Sequence, residues 1–296
     1  MQVDDNSELT ILARPSLRRP ILVAAFAGWP DAGEVATGAL RYLAVKSRAS
    51  KMARIDAENF YDFSTLRPLA SVEQGTVKFV RFPSNDFLYH TNEKSDRDLI
   101  IFLGTEPHLH WRGYLDLLLQ VIHEHEVTLS ITFGSFFDAV PHTRDVKVSG
   151  ATTGEALSAR LPAVGVHLVD YHGPSSIHTS FAVKCKEMNV ESVSLWAHCP
   201  LYVRAPANPK GCHALLSRLA ALVPLDISLE DLKSAGEYLD QTLSKLLLQN
   251  KELGFYVRKL EEQYEGTTER SDDPAVATER LIKEVEDFLR REQHGA

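Results

Sequence analysis

Cysteines, basic stretches and long apolar runs are all scarce in this chain, and each scarcity removes a class of protein. Three cysteines (Cys185, Cys199, Cys212) among 296 residues are too few and too scattered for a disulfide framework or a CxxC zinc site. They point to a reducing compartment. No apolar run approaches the ~20 residues that span a bilayer. The opening residues, MQVDDNSELT, are acidic and polar, unlike a secretory leader. The expectation is a soluble, cytoplasmic protein with no membrane partner. No segment forms a basic stripe, so nucleic acid is not an expected partner. Repeats and low-complexity segments are absent as well.

The chemistry-bearing motifs are incomplete in the same way. "AGWPDAGEV" (27–35) follows the apolar run "ILVAAF", and Gly28 and Gly33 have the spacing of a phosphate loop. Such a loop needs a lysine beside the second glycine. Glu34 stands there instead and would repel a polyphosphate. The spacing is not GxGxxG either. The loop reads as a strand-to-helix turn in which Pro30 and Asp31 suit the turn and Gly33 permits positive φ. Trp29 is not explained by turn chemistry. No GxSxG elbow precedes a helix. His108 and His110 are two apart and would diverge on a helix. His172, His178 and His198 lack carboxylate or cysteine companions at metal-ligand spacing. No metal and no cofactor are expected. Cys199 beside His198 would need a different histidine to become a nucleophile.

What is present is an alternation of buried strands and helices. The hydrophobic fraction is 44% and the charged fraction 24%, ordinary for a globular protein. Strands are expected at 21–27, 97–104, 128–134, 164–171 and 192–198, with 75–83 as an edge strand. Helices are expected at 33–47, 111–125, 176–188 and 209–223. Continuous apolar strands separated by helices predict an α/β fold with a mostly parallel sheet covered on both faces. The loops after those strands form the edge where open α/β sheets bind ligands. Asp31 and Glu106 both fall there, as carboxylates for proton transfer or as acceptors of backbone N–H groups. "PHTR" brings His142, Thr143 and Arg144 to the same region. Thr143 and Arg144 could hold a carboxylate or phosphate, or Arg144 could pair with an acid across the edge.

Residues 226–296 differ from the rest. They hold 17 acids and 10 bases, a net of −7, against 23 and 22 before them. A stripe runs Leu229, Leu232, Gly236, Leu239, Leu243, Leu246, Asn250, Leu253, Val257, Leu260, Tyr264, alternating steps of three and four. That is a heptad seam over one long helix, 228–264. Asp273 and Pro274 then open a second helix, 274–291, through Ala277, Leu281, Val285 and Phe288. The chain is thus expected to comprise an α/β domain, 1–225, and a helical extension, 226–296. The extension is either a hairpin packed on its own domain or an arm reaching another subunit.

Together, "LVAAFAGWPDAGEVATGALRYL", "IIFLGTEPHLHWRGYLDLLLQVI" and "ITFGSFFDAVPHTRDVKVSG" resemble the proteasome assembly chaperone 2 family in its actinobacterial-type bacterial form. The resemblance covers roughly residues 20–225. It implies a three-layer α/β/α sandwich, phosphorylase/hydrolase-like, with a C-terminal helical hairpin. It implies that Gly28, Trp29, Asp31, Gly33, Glu106, Pro107, Pro141, His142, Thr143 and Arg144 form one family-defining cluster. Relatives in archaea and eukaryotes assist proteasome core assembly, and the family has no established enzymatic activity. The implied function is a non-enzymatic, homo-oligomeric chaperone-like or scaffold protein, a trimer or hexamer, with a protein client. The alternative is a phosphorylase/hydrolase-type enzyme on a small anionic or nucleoside-like substrate. In that case Glu106, His142 and Asp31 would be catalytic, and Thr143 and Arg144 would hold the anion. The ending "REQHGA" lacks the hydrophobic–Tyr–any-residue tail by which archaeal relatives dock, so that route is not expected.

Overall fold

The computed structural model describes residues 8–92, 95–265, 282–283 and 285–290. In chain order the strands are β1 (Leu9–Ile11), β2 (Ile21–Ala27), β3 (Ser50–Ile55), β4 (Leu69–Glu73), β5 (Thr76–Arg81), β6 (Asn85–His90), β7 (Leu99–Thr105), β8 (Leu129–Asp138), β9 (Val148–Thr152), β10 (Val166–Leu168) and β11 (Glu191–Pro200). The helices are α1 (Val35–Lys46), α2 (Trp111–Glu124), α3 (Glu155–Arg160), α4 (Ile177–Glu187), α5 (Pro209–Leu222), α6 (Glu230–Gln249) and α7 (Lys251–Glu265).

Among the described residues, one nine-stranded sheet runs β1-β3-β6-β7-β2-β8-β11-β9-β10. Its centre, β7-β2-β8-β11, is parallel and consists of the four strongest apolar runs. The sheet as a whole is mixed rather than mostly parallel. β1, β3 and β6 add to β7 in antiparallel fashion, and β9 runs antiparallel to β11. These flanking strands are short or carry polar residues, so their pattern did not announce them. The segment 75–83 is not an edge of this sheet. β5 pairs only with β4, in a separate two-stranded hairpin. The strand expected at 164–171 is reduced to β10.

The period of two along β2 builds two cores. Ile21, Val23 and Ala25 face one side and pack with α1, α3 and α5. Leu22, Ala24 and Phe26 face the other and pack with α2 and α4. This central strand carries no charge because both its faces are buried.

The leucines and valine of the heptad stripe from Leu232 to Leu260 are buried, whereas Tyr264 is exposed, and the stripe does not lie on one helix. Asn250 leaves the helical region (φ −119°, ψ 99°) and separates α6 from α7. Its side-chain oxygen accepts the Leu253 N–H at 3.0 Å, capping the second helix. A short amide side chain that bonds its own backbone competes with helix continuation. The stripe faces the chain's own body. Leu232 joins the core under α1 and α5. Leu239, Leu243, Leu246, Leu253, Val257 and Leu260 enclose Tyr202 and Val203, together with Ile282, Val285 and Leu289. A Cβ at Gly236 would meet the Lys210 side chain at 3.0 Å, so glycine lets α6 approach α5. Phe288 is half-buried beside this core. Asp273, Pro274, Ala277 and Leu281 lie outside the described residues.

Candidate functional site

The loop after β2 is a tight turn. Gly28 takes φ +112° and Gly33 φ +62°, values that favour glycine. Asp31 is buried at the start of α1. Its Oδ1 accepts the Ala36 N–H at 2.8 Å and the Thr37 N–H at 3.2 Å, and its Oδ2 accepts the Thr37 hydroxyl. These helix N–H groups are the ones a phosphate would use at a helix N-terminus. The chain's own carboxylate already occupies them. Burial raises the Asp31 pKa, with the Thr37 and Ala36 bonds opposing. Glu34 pairs with Arg41 at 2.7 Å. The Gly33 carbonyl accepts the Ala207 N–H at 2.7 Å and ties the loop to the segment before α5. Trp29 is 64% exposed.

Glu106 follows β7. Its N–H donates to the Ala27 carbonyl at 2.8 Å, continuing the β2–β7 pairing. Its Oε1 accepts the N–H of Ile177, the first residue of α4, at 2.8 Å. Burial raises its pKa and this bond opposes the rise. Glu106 therefore satisfies one of the free donors that every helix start presents.

The PHTR segment lies elsewhere. His142 is buried, and its N–H donates to the Tyr202 hydroxyl at 2.8 Å while Nδ1 lies 2.6 Å from that same oxygen. Burial drops its pKa to about 4, so the ring is neutral near neutrality. Its carbonyl accepts from the Lys210 ammonium, which also pairs with Asp240 of α6 at 2.7 Å. The Thr143 hydroxyl bonds Glu261 of α7, and Arg144 reaches the same carboxylate at 3.4 Å. Tyr264 donates to the Asp145 carbonyl at 3.3 Å. Directly or through Lys210, this segment anchors both α6 and α7. The void bounded by Pro141, His142, Arg144 and His198 measures about 10 Å³, at most the size of one water.

The implied single cluster thus divides into separate assignments. Asp31 caps α1, Glu106 caps α4, and Thr143 and Arg144 hold α7. Gly28, Trp29, Glu106 and Pro107 do share a cleft, of about 350 Å³, at the C-terminal ends of β2 and β7. Its other wall comprises Arg67, Leu69, Arg81, Phe82 and His108. Sequence reasoning missed this wall, because most of it comes from the β4–β5 hairpin and its flanks, far along the chain from the glycine loop.

A second arrangement was also missed. His198 Nδ1 donates to Asp138 Oδ2 at 2.7 Å, and His198 Nε2 lies 2.9 Å from the Ser149 hydroxyl. The order Asp–His–Ser resembles a hydrolytic triad. Ser149 and His198 are both buried, and the adjoining void is water-sized. The array links the ends of β8 and β11 to β9. Burial pushes the thiol of neighbouring Cys199 up to about 12, which removes it as a nucleophile near neutral pH. Among the described residues, no three His, Cys, Asp or Glu side chains are placed to hold a metal ion. No helix among them is long and apolar enough to cross a membrane.

These features define an α/β protein with a large mixed sheet, its motif acids used as helix caps and an aromatic-walled cleft at the sheet edge. The profile of the PAC2 family matches residues 25–247, and the chain belongs to that family. A PAC2 family protein from Streptomyces avermitilis is 34% identical over 80% of this chain and 99% of its own, with TM-score 0.72. A proteasome-assembly chaperone homologue from Mycobacterium tuberculosis is also 34% identical, over 80% and 99%, with TM-score 0.73. An archaeal proteasome activator from Pyrococcus furiosus is 19% identical over 80% and 97%, with TM-score 0.63, and shares the fold. No protein curated for function matches the chain.

Proposed function

We propose that this chain is a non-enzymatic, cytoplasmic and homo-oligomeric protein of the assembly-chaperone or scaffold kind, acting on a protein client through surface contacts. The relative described as a proteasome-assembly chaperone homologue supports this reading. The observation that carries it is the use of the motif side chains. Asp31, Glu106, Thr143 and Arg144 each bond a helix of the same chain, a structural use of the motif that favours contact over catalysis. The exposed Trp29 and its cleft are the part of the motif left for a ligand, and peptide side chains suit an aromatic wall.

The same reading treats the fold as a phosphorylase/hydrolase-like three-layer sandwich, with residues 1–225 as body and 226–296 as a helical extension that packs back on it. The matched family region runs through residue 247, across that boundary. A trimer or hexamer is the expected assembly. The phosphorylase/hydrolase-type enzyme is less favoured, because it requires Asp31, Glu106, His142 and Arg144 to converge on one substrate.

A thermal-shift screen of wild type and Arg144→Ala against phosphate, nucleosides, nucleotides and small carboxylates tests this. A ligand at 100 times its Kd adds about 2.7 kcal/mol. At roughly 2–4 °C per kcal/mol this is several degrees. The expected result is no shift that depends on Arg144. A clear shift that Arg144→Ala abolishes would overturn the scaffold reading in favour of the enzyme.

A further inference from the structure

The cleft beside Trp29 occupies a particular place in the sheet. β2 and β7 are parallel neighbours. α1, which follows β2, packs on the face of Ile21, Val23 and Ala25. α2, which follows β7, packs on the opposite face, with Leu22, Ala24 and Phe26. The chain therefore leaves these adjacent strand ends in opposite directions, and a crevice opens between them. Such switch points are where open α/β sheets take ligands. Trp29 and Glu106 stand on its two lips, and the β4–β5 hairpin with its flanks closes a third side. Its volume of about 350 Å³ is at the low end of the ~300–1,000 Å³ of small-ligand clefts. It admits the end of a chain or a single side chain, not a folded surface.

The lining selects the occupant. It includes two arginines, Arg67 and Arg81, and one acid, Glu106. Neither arginine has a carboxylate or carbonyl partner among the described residues. The Arg81 guanidinium lies over the Phe79 ring, 5.1 Å from its centroid. A guanidinium offers a fork of donors that fits a carboxylate bidentately. Two guanidiniums against one carboxylate leave one positive charge, the complement of a monoanion. A phosphate dianion is poorly matched: it would face Glu106, and the helix N–H groups it would use at α1 are taken by Asp31. Trp29 and Phe82, 64% and 49% exposed, supply ring faces for a large apolar group. Glu106 uses one oxygen on the Ile177 N–H, and the other is left to accept an amide N–H. Carboxylate, apolar side chain and amide N–H together are the chemistry of a peptide.

We propose that this cleft binds a peptide segment of the client that carries a carboxylate beside a large apolar side chain. The proposal rests on the client-contact reading above and names what that contact recognises. The carboxylate is either a chain terminus or an Asp or Glu side chain. Fluorescein-labelled peptides separate the two sources: Gly-Ser-Gly-Leu-Phe with a free C-terminus, the same peptide amidated, and amidated Gly-Ser-Phe-Glu-Gly-Ser. Anisotropy titrations with the full chain read binding. At least one carboxylate peptide should bind tenfold or more tighter than the neutral amide. Arg67→Gln and Arg81→Gln should each remove most of that difference, and Trp29→Ala should weaken binding of the same peptide. Arg48→Gln, at the other end of α1, is the control and should change nothing. All four side chains are exposed, so each variant keeps the fold, as circular dichroism checks. Binding that does not distinguish the neutral amide, binding that neither arginine variant weakens, or no binding at all would each overturn the proposal. The client-contact reading would survive any of these, because it falls on the Arg144-dependent thermal shift instead.

Discussion

Replacing Asp31 by alanine separates a helix cap from a catalytic acid. The carboxylate accepts from Ala36 N–H, Thr37 N–H and the Thr37 hydroxyl. Loss of a helix-capping acceptor costs about 0.5–2 kcal/mol. A buried donor left without a partner costs about 1–3 kcal/mol more, and Thr37 is only 2% exposed. Relief of a buried charge offsets part of this, since burial is what raises the Asp31 pKa. The net expectation is a loss of about 2 kcal/mol. At roughly 2–4 °C per kcal/mol, Tm falls by about 4–8 °C. Asp31→Asn keeps one acceptor oxygen and should lose about half as much. Urea denaturation at pH 7 with a thermal scan measures both. Residues held for catalysis commonly gain stability when removed. An Asp31→Ala protein as stable as wild type, or more so, would refute the capping argument and return Asp31 to the list of reactive groups.

Other expectations follow from burial and packing. His178 is fully buried between the rings of Phe26 and Trp196, and burial lowers its pKa to about 3. Below pH ~6.5 the unfolded chain takes up a proton that the folded chain refuses, so stability present above 6.5 is lost as pH falls toward 3. His178→Leu should flatten the stability–pH slope between pH 6 and 4 by about 1 kcal/mol per unit, read by denaturation at several pH values. An unchanged slope would remove His178 as the source. Leu253→Ala, deep in the core beneath α7, should cost about 2–5 kcal/mol. The more exposed Glu261→Ala should cost about 1 kcal/mol or less. In Glu261→Ala, hydrogen exchange should quicken in α7 while the central strands stay protected; uniform exchange would contradict the anchoring role of Thr143 and Arg144. Cys185, Cys199 and Cys212 are all buried, with thiols pushed up to about 11, 12 and 12. A thiol reagent should label the native protein far more slowly than the unfolded chain, and rapid labelling of any one would place it nearer the surface.

The sequence determined the elements whose signal is local. "ILVAAFA" is apolar without interruption because both faces of β2 are buried, so it declared a central strand on its own. α1, α2, α4 and α5 were legible within two residues from their periodicity, and Glu34 alone excluded a phosphate loop by its charge. From Leu232 to Leu260 the heptad stripe marks the buried face of α6 and α7. The break at Asn250 was not legible, because an asparagine at a seam position serves equally as a buried polar residue or as a cap. Only packing against Tyr202 and Val203 decided which. β3 and β6 were invisible for a related reason: they carry polar residues and gain strand identity from pairing with each other and, for β6, with β7. The motif residues were legible as a set but not as roles. Asp31, Glu106 and Arg144 are ionisable groups near one sheet edge in the sequence reading. Which N–H or carboxylate each one meets depends on where α1, α4 and α7 begin and how they cross the sheet. That is a property of contacts between residues up to 117 positions apart, and no local pattern encodes it.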